Sequence, residues 1–421
     1  MKTPIFRMAP SPTGEVHIGT VGMALVNYML AKSMNGKFLL RIEDTDQKRE
    51  VEGAADRIIE TFKTFDILPD NIENVPYQSK RTEIYQTAAN QLINNGLAYM
   101  EDGAIRLKCP QNAEPIKWKD LVKGDMVLPP LQRDPVILKS NRIPPYNLAH
   151  VIDDEWMGTT HVVRGEEWLP STAEHIQIYE ALHGTRETPW QYCHLPVISI
   201  IEDGNKRKLS KRKDKEAHVD HFLSEGYPTQ ALIEYLLTVY NTDYEVWRTS
   251  NPEKDWREFN FRFEKIGSSS PLFDWDKLNS ISKNIIAKMS CEQINKEVKD
   301  YFDKYHVGEV SEKNLKDIFT LLAVDRGTER PRKDISKYGE ILTEFDYVFR
   351  PVQKTPLIEK YITLLKSVNN VDDWFILMKA KAAEFGYKNV REFTQALRVA
   401  LTGRERSTDL YTISKVLLGN L

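Results

Sequence analysis

The sequence contains few cysteines, no long apolar run and no excess of either charge. The three cysteines, Cys109, Cys193 and Cys291, are too far apart for a Cys-x-x-Cys metal clip, and their odd number does not fit a disulfide framework. No run of 18 apolar residues occurs, so no segment predicts a membrane-spanning helix. The amino-terminal residues also lack the apolar core of a secretion signal. These absences predict a cytoplasmic protein with no membrane contact.

The charges nearly cancel, with 58 Lys and Arg against 61 Asp and Glu and a formal net charge of −3. Such a chain is not a polycation, so any contact with nucleic acid has to come from local basic patches. With 41% apolar and 28% charged residues, the composition is that of a globular protein and excludes a disordered chain. At about 150 residues per domain, 421 residues predict roughly two to four domains.

The amino-terminal quarter alternates between strand-like and helix-like patterns. Residues 4–8 predict a strand, a Pro- and Gly-rich turn follows, residues 18–34 predict a helix, and residues 38–42 predict a second strand. Apolar residues then recur at helical spacing over 51–65 and 84–93. Strand–helix alternation of this kind predicts a parallel sheet with helices on both faces.

The pattern changes further along the chain. Short strand-like pieces separated by Pro-rich turns between 105 and 138 predict a compact insertion between two halves of the sheet. Alternation resumes with predicted strands at 161–163 and 195–201 around a predicted helix at 172–182. After residue 222 nearly all patterns are helical, which predicts an all-α region attached to an α/β core.

Residues 9–19, Ala-Pro-Ser-Pro-Thr-Gly-Glu-Val-His-Ile-Gly, join the first predicted strand to the first predicted helix. In a doubly wound sheet, phosphates bind where a strand opens onto a helix amino terminus. His17 falls in the first helical turn, so its imidazole can donate to a phosphoryl oxygen. Gly19 has no side chain and would let a flat base approach the backbone. The alternative is a Pro- and Ser-rich turn followed by a histidine that caps the helix.

Six cations lie within residues 206–213, Lys-Arg-Lys-Leu-Ser-Lys-Arg-Lys, just after the turn Asp-Gly-Asn at 203–205. Lys208 and Lys211 flank Ser210 and can clamp a triphosphate, where positive charge stabilises the leaving pyrophosphate. The alternative is a solvated loop, which is the usual role of a charge run.

Together the two segments resemble the "HIGH" and "KMSKS" motifs of class I aminoacyl-tRNA synthetases and, within that class, those of the glutamyl-tRNA synthetases. Other strings similar to this family follow in order through nearly the whole chain: RIEDTD (41–46), PYNLA (145–149), VIDD (151–154), MGTTHVVRGEEW (157–168), SPLFD (270–274) and LRVALTG (397–403). The number and order of these strings make chance similarity a poor explanation.

The resemblance implies an α/β fold in which a Rossmann-type parallel sheet carries a small inserted α+β subdomain and is followed by all-α connector and anticodon-binding domains. The implied domains are a first half of the catalytic core at 1–98, a reduced acceptor-binding insertion at 99–141, a second half of the core with the Lys-Leu-Ser-Lys-Arg loop at 142–225, a helical connector at 226–300 and an anticodon-binding domain at 301–421.

The implied reaction joins L-glutamate and ATP to give glutamyl-adenylate and pyrophosphate, after which the 3′-terminal ribose of tRNA(Glu) takes the glutamyl group. Positioning and charge stabilisation supply most of the rate in such chemistry. Mg²⁺ held mainly by phosphates and water would accompany ATP, with no dedicated protein metal site. The resemblance assigns catalytic roles to His17, Lys208, Ser210 and Lys211. It assigns ATP binding to Pro10, Thr13, Gly14, His17, Gly19 and Lys211.

Glutamate recognition needs a cation that prefers a carboxylate to the isosteric amide of glutamine. Arg7 and Arg164 match the family's arginines that face the substrate carboxylates, and a guanidinium fork pairs bidentately with a carboxylate. An amide would leave that fork partly unsatisfied, and rejection on this basis can reach about 10⁴-fold. The resemblance places the α-ammonium group on Glu43 and implies that Ser11 and Tyr146 line the pocket.

The largest departure from the family lies after Tyr99. Family members carry a longer segment there, sometimes with a Cys/His zinc site, whereas only residues 100–104 precede the next strand-like piece. No zinc is therefore expected, and contact with the acceptor end of tRNA must be reduced or rebuilt. Two smaller departures are Thr20 in the first motif and Lys213-Asp214 in place of the common His-Gly after the second.

The shortened insertion keeps a second hypothesis open, a paralogue that activates glutamate but delivers it to another tRNA, a modified base or a biosynthetic intermediate. The helical tail argues against this hypothesis, because an anticodon-reading domain has little use without an anticodon. A third hypothesis is a non-catalytic RNA-binding protein. Such a protein would be free to lose His17 or Lys211, and the presence of both argues against it.

Four cations of the tail are candidate tRNA contacts, with solvated helix ends as the alternative: Arg326, Arg330, Arg332 and Lys333. The sequence therefore predicts a monomeric, cytoplasmic glutamate–tRNA ligase, with tRNA(Gln) as a further candidate substrate.

Overall fold

The computed structural model describes residues 2–109, 113–210, 213–214 and 217–419 of the chain. The backbone divides into two units. The first consists of Met1–Phe222 and Leu232–Trp275, and the second of Leu223–Ala231 and Asp276–Leu421. Lys211, which the sequence predicts as a phosphate ligand, lies outside the described residues.

The described part of the first unit contains all eleven described strands. They are β1 Ile5–Met8, β2 Lys37–Leu40, β3 Ala98–Glu101, β4 Ala104–Leu107, β5 Ile116–Asp120, β6 Gly124–Leu128, β7 Val136–Leu138, β8 His161–Gly165, β9 Gln191–Leu195, β10 Ser199–Glu202 and β11 Asn205–Lys208. The helices that begin before residue 250 are α1 Ile18–Ser33, α2 Ala54–Thr64, α3 Thr82–Asn94, α4 Tyr146–Trp156, α5 Leu169–His183, α6 Val219–Glu225, α7 Thr229–Tyr240 and α8 Tyr244–Ser250.

Six strands form the central sheet in the order β2-β1-β8-β9-β5-β6. All neighbours in this sheet are parallel except β5 and β6, which form an antiparallel edge. In β1, Phe6, Arg7 and Met8 are all buried, as expected of a parallel strand covered on both faces. The carboxyl ends of β1 and β8 therefore open side by side at one edge of the sheet, where α1 begins after β1.

Two smaller sheets complete the first unit. Strands β3, β4 and β7 form an antiparallel sheet, and β10 and β11 form a hairpin. Asp203 and Gly204 join the hairpin strands with φ of 50° and 76°. Two consecutive residues with positive φ match the twist of paired strands in a tight turn, and glycine adopts this conformation without steric cost. The basic run at 206–213 thus begins as a β-strand rather than as a loop.

The second unit is helical throughout its described regular structure. Its helices are α9 Trp275–Lys288, α10 Cys291–Tyr305, α11 Glu312–Leu322, α12 Ile341–Glu344, α13 Pro356–Leu365, α14 Val371–Lys381, α15 Val390–Thr402 and α16 Leu410–Leu418. One apolar core extends from Ile286 to Leu418. Several helices begin at side-chain caps, and Ser290 forms a capping box with Gln293 at the start of α10.

The predicted fold class, a parallel α/β sheet followed by an all-α region, is confirmed. The prediction of one strand at 195–201 was wrong, because Leu195 ends β9 and Ser199 begins β10. Pro196 lies between them and lacks the N–H group that would continue a ladder.

Two of the predicted domain ranges can be compared with the observed elements. Strands β5 and β6 belong to the segment 99–141 that was predicted as an insertion, yet they extend the central sheet. The predicted boundary at residue 300 lies inside α10. None of the helices in the described part of the chain combines the length and the apolar composition that spanning a membrane requires.

Candidate active site

A cavity of about 730 Å³ opens in the first unit at the carboxyl ends of β1 and β8. Every described residue that the sequence predicted for catalysis, ATP binding or glutamate binding lines it. These residues are Arg7, Pro10, Ser11, Thr13, Gly14, His17, Gly19, Glu43, Tyr146, Arg164, Lys208 and Ser210. The structure thus brings both motifs and the proposed glutamate pocket to one cavity.

His17 is the residue at which helix α1 begins. Its Nδ1 accepts a hydrogen bond of 2.8 Å from the backbone N–H of Gly19, and its backbone is extended, as in an N-terminal cap. A ring nitrogen that accepts a hydrogen bond carries no hydrogen, so the neutral imidazole holds its hydrogen on Nε2. Nδ1 of His17 therefore caps the helix, which leaves Nε2–H as the ring's donor, and the residue lines the cavity.

Gly19 lies close against the imidazole of His17. A Cβ atom at position 19 would lie 2.9 Å from Nδ1 of His17, a distance too short for the two to coexist without a shift. Gly14 has a φ of 114°, a conformation that side-chain-bearing residues rarely adopt. The loop before α1 and the first turn of α1 thus each carry a glycine for a geometric reason.

A buried ion-pair network lies beneath the cavity. The guanidinium group of Arg7 contacts Asp154 through Nε at 2.9 Å and Nη2 at 3.1 Å. Arg41 contacts the same carboxylate and donates to Glu43 through Nη2 at 2.9 Å. Asp154 thus holds one edge of Arg7, and Nη1 of Arg7 is left with a longer contact of 3.4 Å to the carbonyl oxygen of Val163.

The two carboxyl groups of this network have opposite pKa shifts. Burial raises the pKa of Asp154, but the charges of Arg41 and Arg7 outweigh it and lower the pKa to about 2. Burial also raises the pKa of Glu43, and there it outweighs the attraction of Arg41. Asp154 is therefore ionised at neutral pH. At Glu43 the nearby positive charges do not fully offset burial, so the ionised form is less favoured than in water.

We expect Asp154→Asn to lower the free energy of unfolding by about 3–5 kcal/mol at neutral pH, because Arg7 and Arg41 lose their shared buried anion. The lowered pKa of Asp154 means that its charge stabilises the fold above the ordinary carboxyl pKa. That contribution is lost as the pH falls toward 2. The difference between the parent and the variant should therefore shrink on acidification.

Urea unfolding of the full chain at pH 7 and pH 3 measures this difference. The matched control is Asp46→Asn, because Asp46 forms an exposed ion pair with Arg49 and its loss should change stability by only about 0.5 kcal/mol. A penalty for Asp154→Asn no larger than that of the control, or one that grows at low pH, would contradict the role of Asp154.

Arg164 is only 6% exposed, and all five of its N–H groups have acceptors within the protein. These acceptors are Nε2 of His194, the hydroxyl of Tyr146, Nδ1 of His175, the carbonyl oxygen of Trp168 and Oγ1 of Thr172. Among the described residues, no carboxylate forms an ion pair with Arg164. A buried charge is normally paired, so this guanidinium leaves an uncompensated positive charge in the cavity wall.

The histidines near Arg164 do not add charge at neutral pH. Burial and the nearby arginines place the pKa of His150 well below its ordinary range. The pKa of His175 is also well below it, through burial, His150 and Arg164. Burial lowers the pKa of His194 as well. Neutral imidazoles can accept hydrogen bonds, which is how His175 and His194 hold Arg164.

The second motif is anchored by an aspartate. Asp214 accepts hydrogen bonds of 2.7 Å from both terminal nitrogens of Arg207 and one of 2.8 Å from the backbone N–H of Ser210. The hydrogen bonds from Arg207 lower the pKa of Asp214 to about 2. Lys208 contacts Glu167 at 2.6 Å. Asp214, noted in the sequence only as a departure from the family motif, therefore holds the loop at Ser210.

The four predicted tRNA contacts lie in the second unit. Arg326 donates to the carbonyl oxygens of Leu322, Ile286 and Met289 at 3.0, 2.6 and 2.9 Å, and Arg332 pairs with Asp334. These contacts give both arginines structural roles within the helical core. Arg330 and Lys333 are exposed.

Sequence reasoning missed the buried partners of the pocket arginines: Arg41, Asp120, Asp154, His175 and His194. Arg41 and Asp154 lie in strings that were recognised, but no role followed from those strings. A usable signal was the placement of Arg41 between Leu40 and Ile42, since a charge inside an apolar stretch predicts a buried pair.

The residues that the structure describes contain no group of three or more His, Cys, Asp or Glu side chains arranged to hold a metal ion.

Comparisons with known proteins bear on the whole chain. The family model of the class I tRNA synthetases (E and Q), catalytic domain, matches residues 5–104 and 100–246. A glutamate–tRNA ligase of Clostridium perfringens strain SM101 is 35% identical over 509 aligned positions, which cover 98% of this chain and 91% of the relative. That of Clostridium beijerinckii is 36% identical, with coverage of 98% and 91%.

The alignment with the first relative is longer than the 421 residues of this chain, so that relative carries segments absent here. A solved glutamate–tRNA ligase from Elizabethkingia meningosepticum, in complex with its amino acid, shares the fold. Its TM-score is 0.80 at 23% identity, with 99% of this chain and 97% of that chain covered. Because the catalytic-domain model matches more than half of the chain and the relatives match nearly all of it, the chain belongs to the glutamate–tRNA ligase family of class I tRNA synthetases.

Proposed function

We propose that this protein ligates L-glutamate to tRNA(Glu) with ATP, through a glutamyl-adenylate intermediate. The observation that carries the proposal is the cavity wall around Arg164. There a buried guanidinium, which pairs with none of the described carboxylates, lies with Arg7 and Glu43. Family membership indicates the class of reaction, and the charges of this pocket explain why glutamate is the amino-acid substrate.

The charges of the pocket complement those of glutamate, which has two carboxylates and one ammonium group. Arg164 and Arg7 face the carboxylates, and Glu43 takes the ammonium group. Burial disfavours the charge of Glu43, so an ammonium group beside it restores the ionised form. Tyr146 and Ser11 line the same cavity and limit the room around the substrate. Glutamine would leave the positive charge of Arg164 uncompensated.

ATP occupies the part of the cavity near the start of α1. Pro10, Thr13, Gly14 and Gly19 form the backbone surface there, and the helix amino terminus favours phosphate. The α-carboxylate oxygen of glutamate attacks the α-phosphorus, and the bond to the β-phosphate breaks, which releases pyrophosphate. Nε2–H of His17 donates to the α-phosphoryl oxygen as charge develops there.

The Lys-Leu-Ser-Lys-Arg loop acts on the leaving pyrophosphate. Lys208 leaves Glu167 to reach the phosphates, Ser210 orders the loop, and Lys211 is assigned the β- and γ-phosphates. Mg²⁺ bound mainly by phosphate oxygens and water would neutralise further charge. The 3′-terminal ribose hydroxyl of tRNA then attacks the glutamyl carbonyl carbon, and AMP leaves.

The remaining parts of the proposal concern the partner and its location. The all-α second unit is assigned the anticodon of tRNA(Glu), with exposed Arg330 and Lys333 as phosphate contacts, and tRNA(Gln) as a further candidate. The domain boundaries, the monomeric state and the cytoplasmic location remain predictions.

The test is aminoacylation by the full chain with labelled glutamate, ATP, Mg²⁺ and purified tRNA(Glu) or tRNA(Gln). We expect tRNA(Glu) to be charged with release of AMP and pyrophosphate, and labelled glutamine to give no product. Failure to charge either tRNA, with glutamyl transfer to another acceptor, would contradict the proposal and support the paralogue. Formation of adenylate should be tested with tRNA present, because members of this family typically activate glutamate only then.

A further inference from the structure

Three neighbouring strands bring Asp120, His194 and Arg164 into one line. Arg164 of β8 and His194 of β9 are direct partners in the parallel register, and Asp120 ends β5, which pairs with β9. Asp120 is 1% exposed and His194 is fully buried. Asp120 comes from the segment that the sequence had assigned to acceptor binding, so this segment also contributes to the wall behind the glutamate pocket.

The hydrogen bonds along this line fix the tautomer of His194. Oδ2 of Asp120 lies 2.6 Å from Nδ1 of His194, so Nδ1 carries the hydrogen that the carboxylate accepts. Nε2 is then bare, and it accepts a hydrogen bond of 3.0 Å from Nε of Arg164. The opposite tautomer would place two N–H donors against each other at this contact.

The backbone holds Asp120 in turn. Its Oδ1 accepts from the N–H groups of Val122 at 3.0 Å, Lys123 at 2.9 Å and His194 at 3.3 Å. Although burial raises the pKa of Asp120, the hydrogen bond from His194 and those from the backbone lower it on balance. The carboxylate therefore remains ionised and is linked to Arg164 through one imidazole.

We infer that Asp120 and His194 are positioning residues for glutamate recognition, because they fix the orientation of Arg164 through a buried carboxylate–imidazole–guanidinium line. This inference rests on the proposed function, in which Arg164 faces a carboxylate of the substrate. The line orients the planar guanidinium without neutralising it by direct contact, so its charge is kept for the substrate.

Asp120→Asn tests the line at its far end. The amide oxygen takes the place of Oδ1, where three N–H groups converge, so the NH₂ group faces Nδ1 of His194. Nδ1 must then accept, the hydrogen moves to Nε2, and Nε of Arg164 loses its acceptor. We expect the KM for glutamate to rise about tenfold or more, with kcat and the KM for ATP within about twofold of the parent.

Two variants of His194 form a matched pair. Asparagine keeps an amide donor near the position of Nδ1 for Asp120 but has no atom at the position of Nε2. Glutamine reaches the position of Nε2 and can accept from Arg164. We expect His194→Asn to raise the KM for glutamate as Asp120→Asn does, and His194→Gln to recover most of the parental KM. A purely structural role would instead lower the melting temperature and the active fraction alike in both variants.

The tautomer is measured independently of any variant's folding, by ¹⁵N NMR of the full chain with labelled histidine. We expect Nδ1 of His194 to be protonated and Nε2 to be bare. The inference is overturned if the reverse tautomer is found, or if a folded Asp120→Asn or His194→Asn keeps the parental KM for glutamate. The parent protein is assayed alongside the variants. If the parent charges tRNA with glutamate, the proposed function stands and only the positioning role is overturned. If the parent itself does not charge tRNA with glutamate, the proposed function has failed.

Discussion

Replacement of Arg164 by glutamine raises the KM for glutamate by about 10²- to 10³-fold and removes most of the preference for glutamate over glutamine. The size of the effect follows from burial, because a guanidinium that is 6% exposed interacts with a substrate carboxylate with little screening by water. A glutamine side chain has no charge and only two N–H donors, so both the attraction and the geometry are lost.

The measurement is steady-state charging of tRNA(Glu) over a range of glutamate and, separately, glutamine concentrations. Arg164→Lys separates charge from geometry, because lysine keeps the charge but cannot fill the five hydrogen-bond positions of the arginine. Arg186→Gln is the matched control: Arg186 pairs with Glu180 on the surface of the same unit and does not line the cavity. Glutamate selectivity that survives Arg164→Gln would exclude the guanidinium as its source.

The second large effect is expected at His17, whose two ring nitrogens have separate roles. His17→Asn keeps a side-chain oxygen that can cap α1, since asparagine is a preferred N-cap residue, but it loses Nε2–H. We expect the rate of adenylate formation to fall about 10²- to 10³-fold, as when one donor to a developing oxyanion is removed. Stability should stay close to that of the parent.

His17→Ala removes both roles and completes the comparison. Its adenylate formation should fall as in His17→Asn, with an additional loss of about 1 kcal/mol of stability from the missing cap. Pyrophosphate exchange in the presence of tRNA measures the first effect, and urea unfolding measures the second. If His17→Asn retained the parental exchange rate, His17 would be a capping residue alone, which is the alternative that its sequence position also allows.

The local-pattern predictions for the first strand–helix–strand unit agreed with the structure. The spacing of apolar residues and the breakers around Pro10–Gly14 placed β1, α1 and β2 to within a few residues. The first residues of the basic cluster form the strand β11, because the turn at Asp203 and Gly204 pairs them with β10. The sequence pattern did not predict this strand pairing, because a run of charged residues lacks the alternation of apolar and polar residues that is typical of a strand.

The sequence by itself determined which chemistry-bearing residues exist and that they belong to two motifs of one family. Only the tertiary structure decided which charges are paired. Arg7 meets Asp154 across 147 positions, and Asp120 meets His194 across 74, so neither pairing follows from spacing along the chain. Arg7 and Arg164 look equivalent in sequence, yet one shares a buried carboxylate and the other is held by neutral groups. The physical reason is that the packing of strands and helices around the sheet places residues side by side without regard to their separation in the chain, as for Arg7 of β1 and Asp154 of α4. Burial then decides which of those charges stays uncompensated.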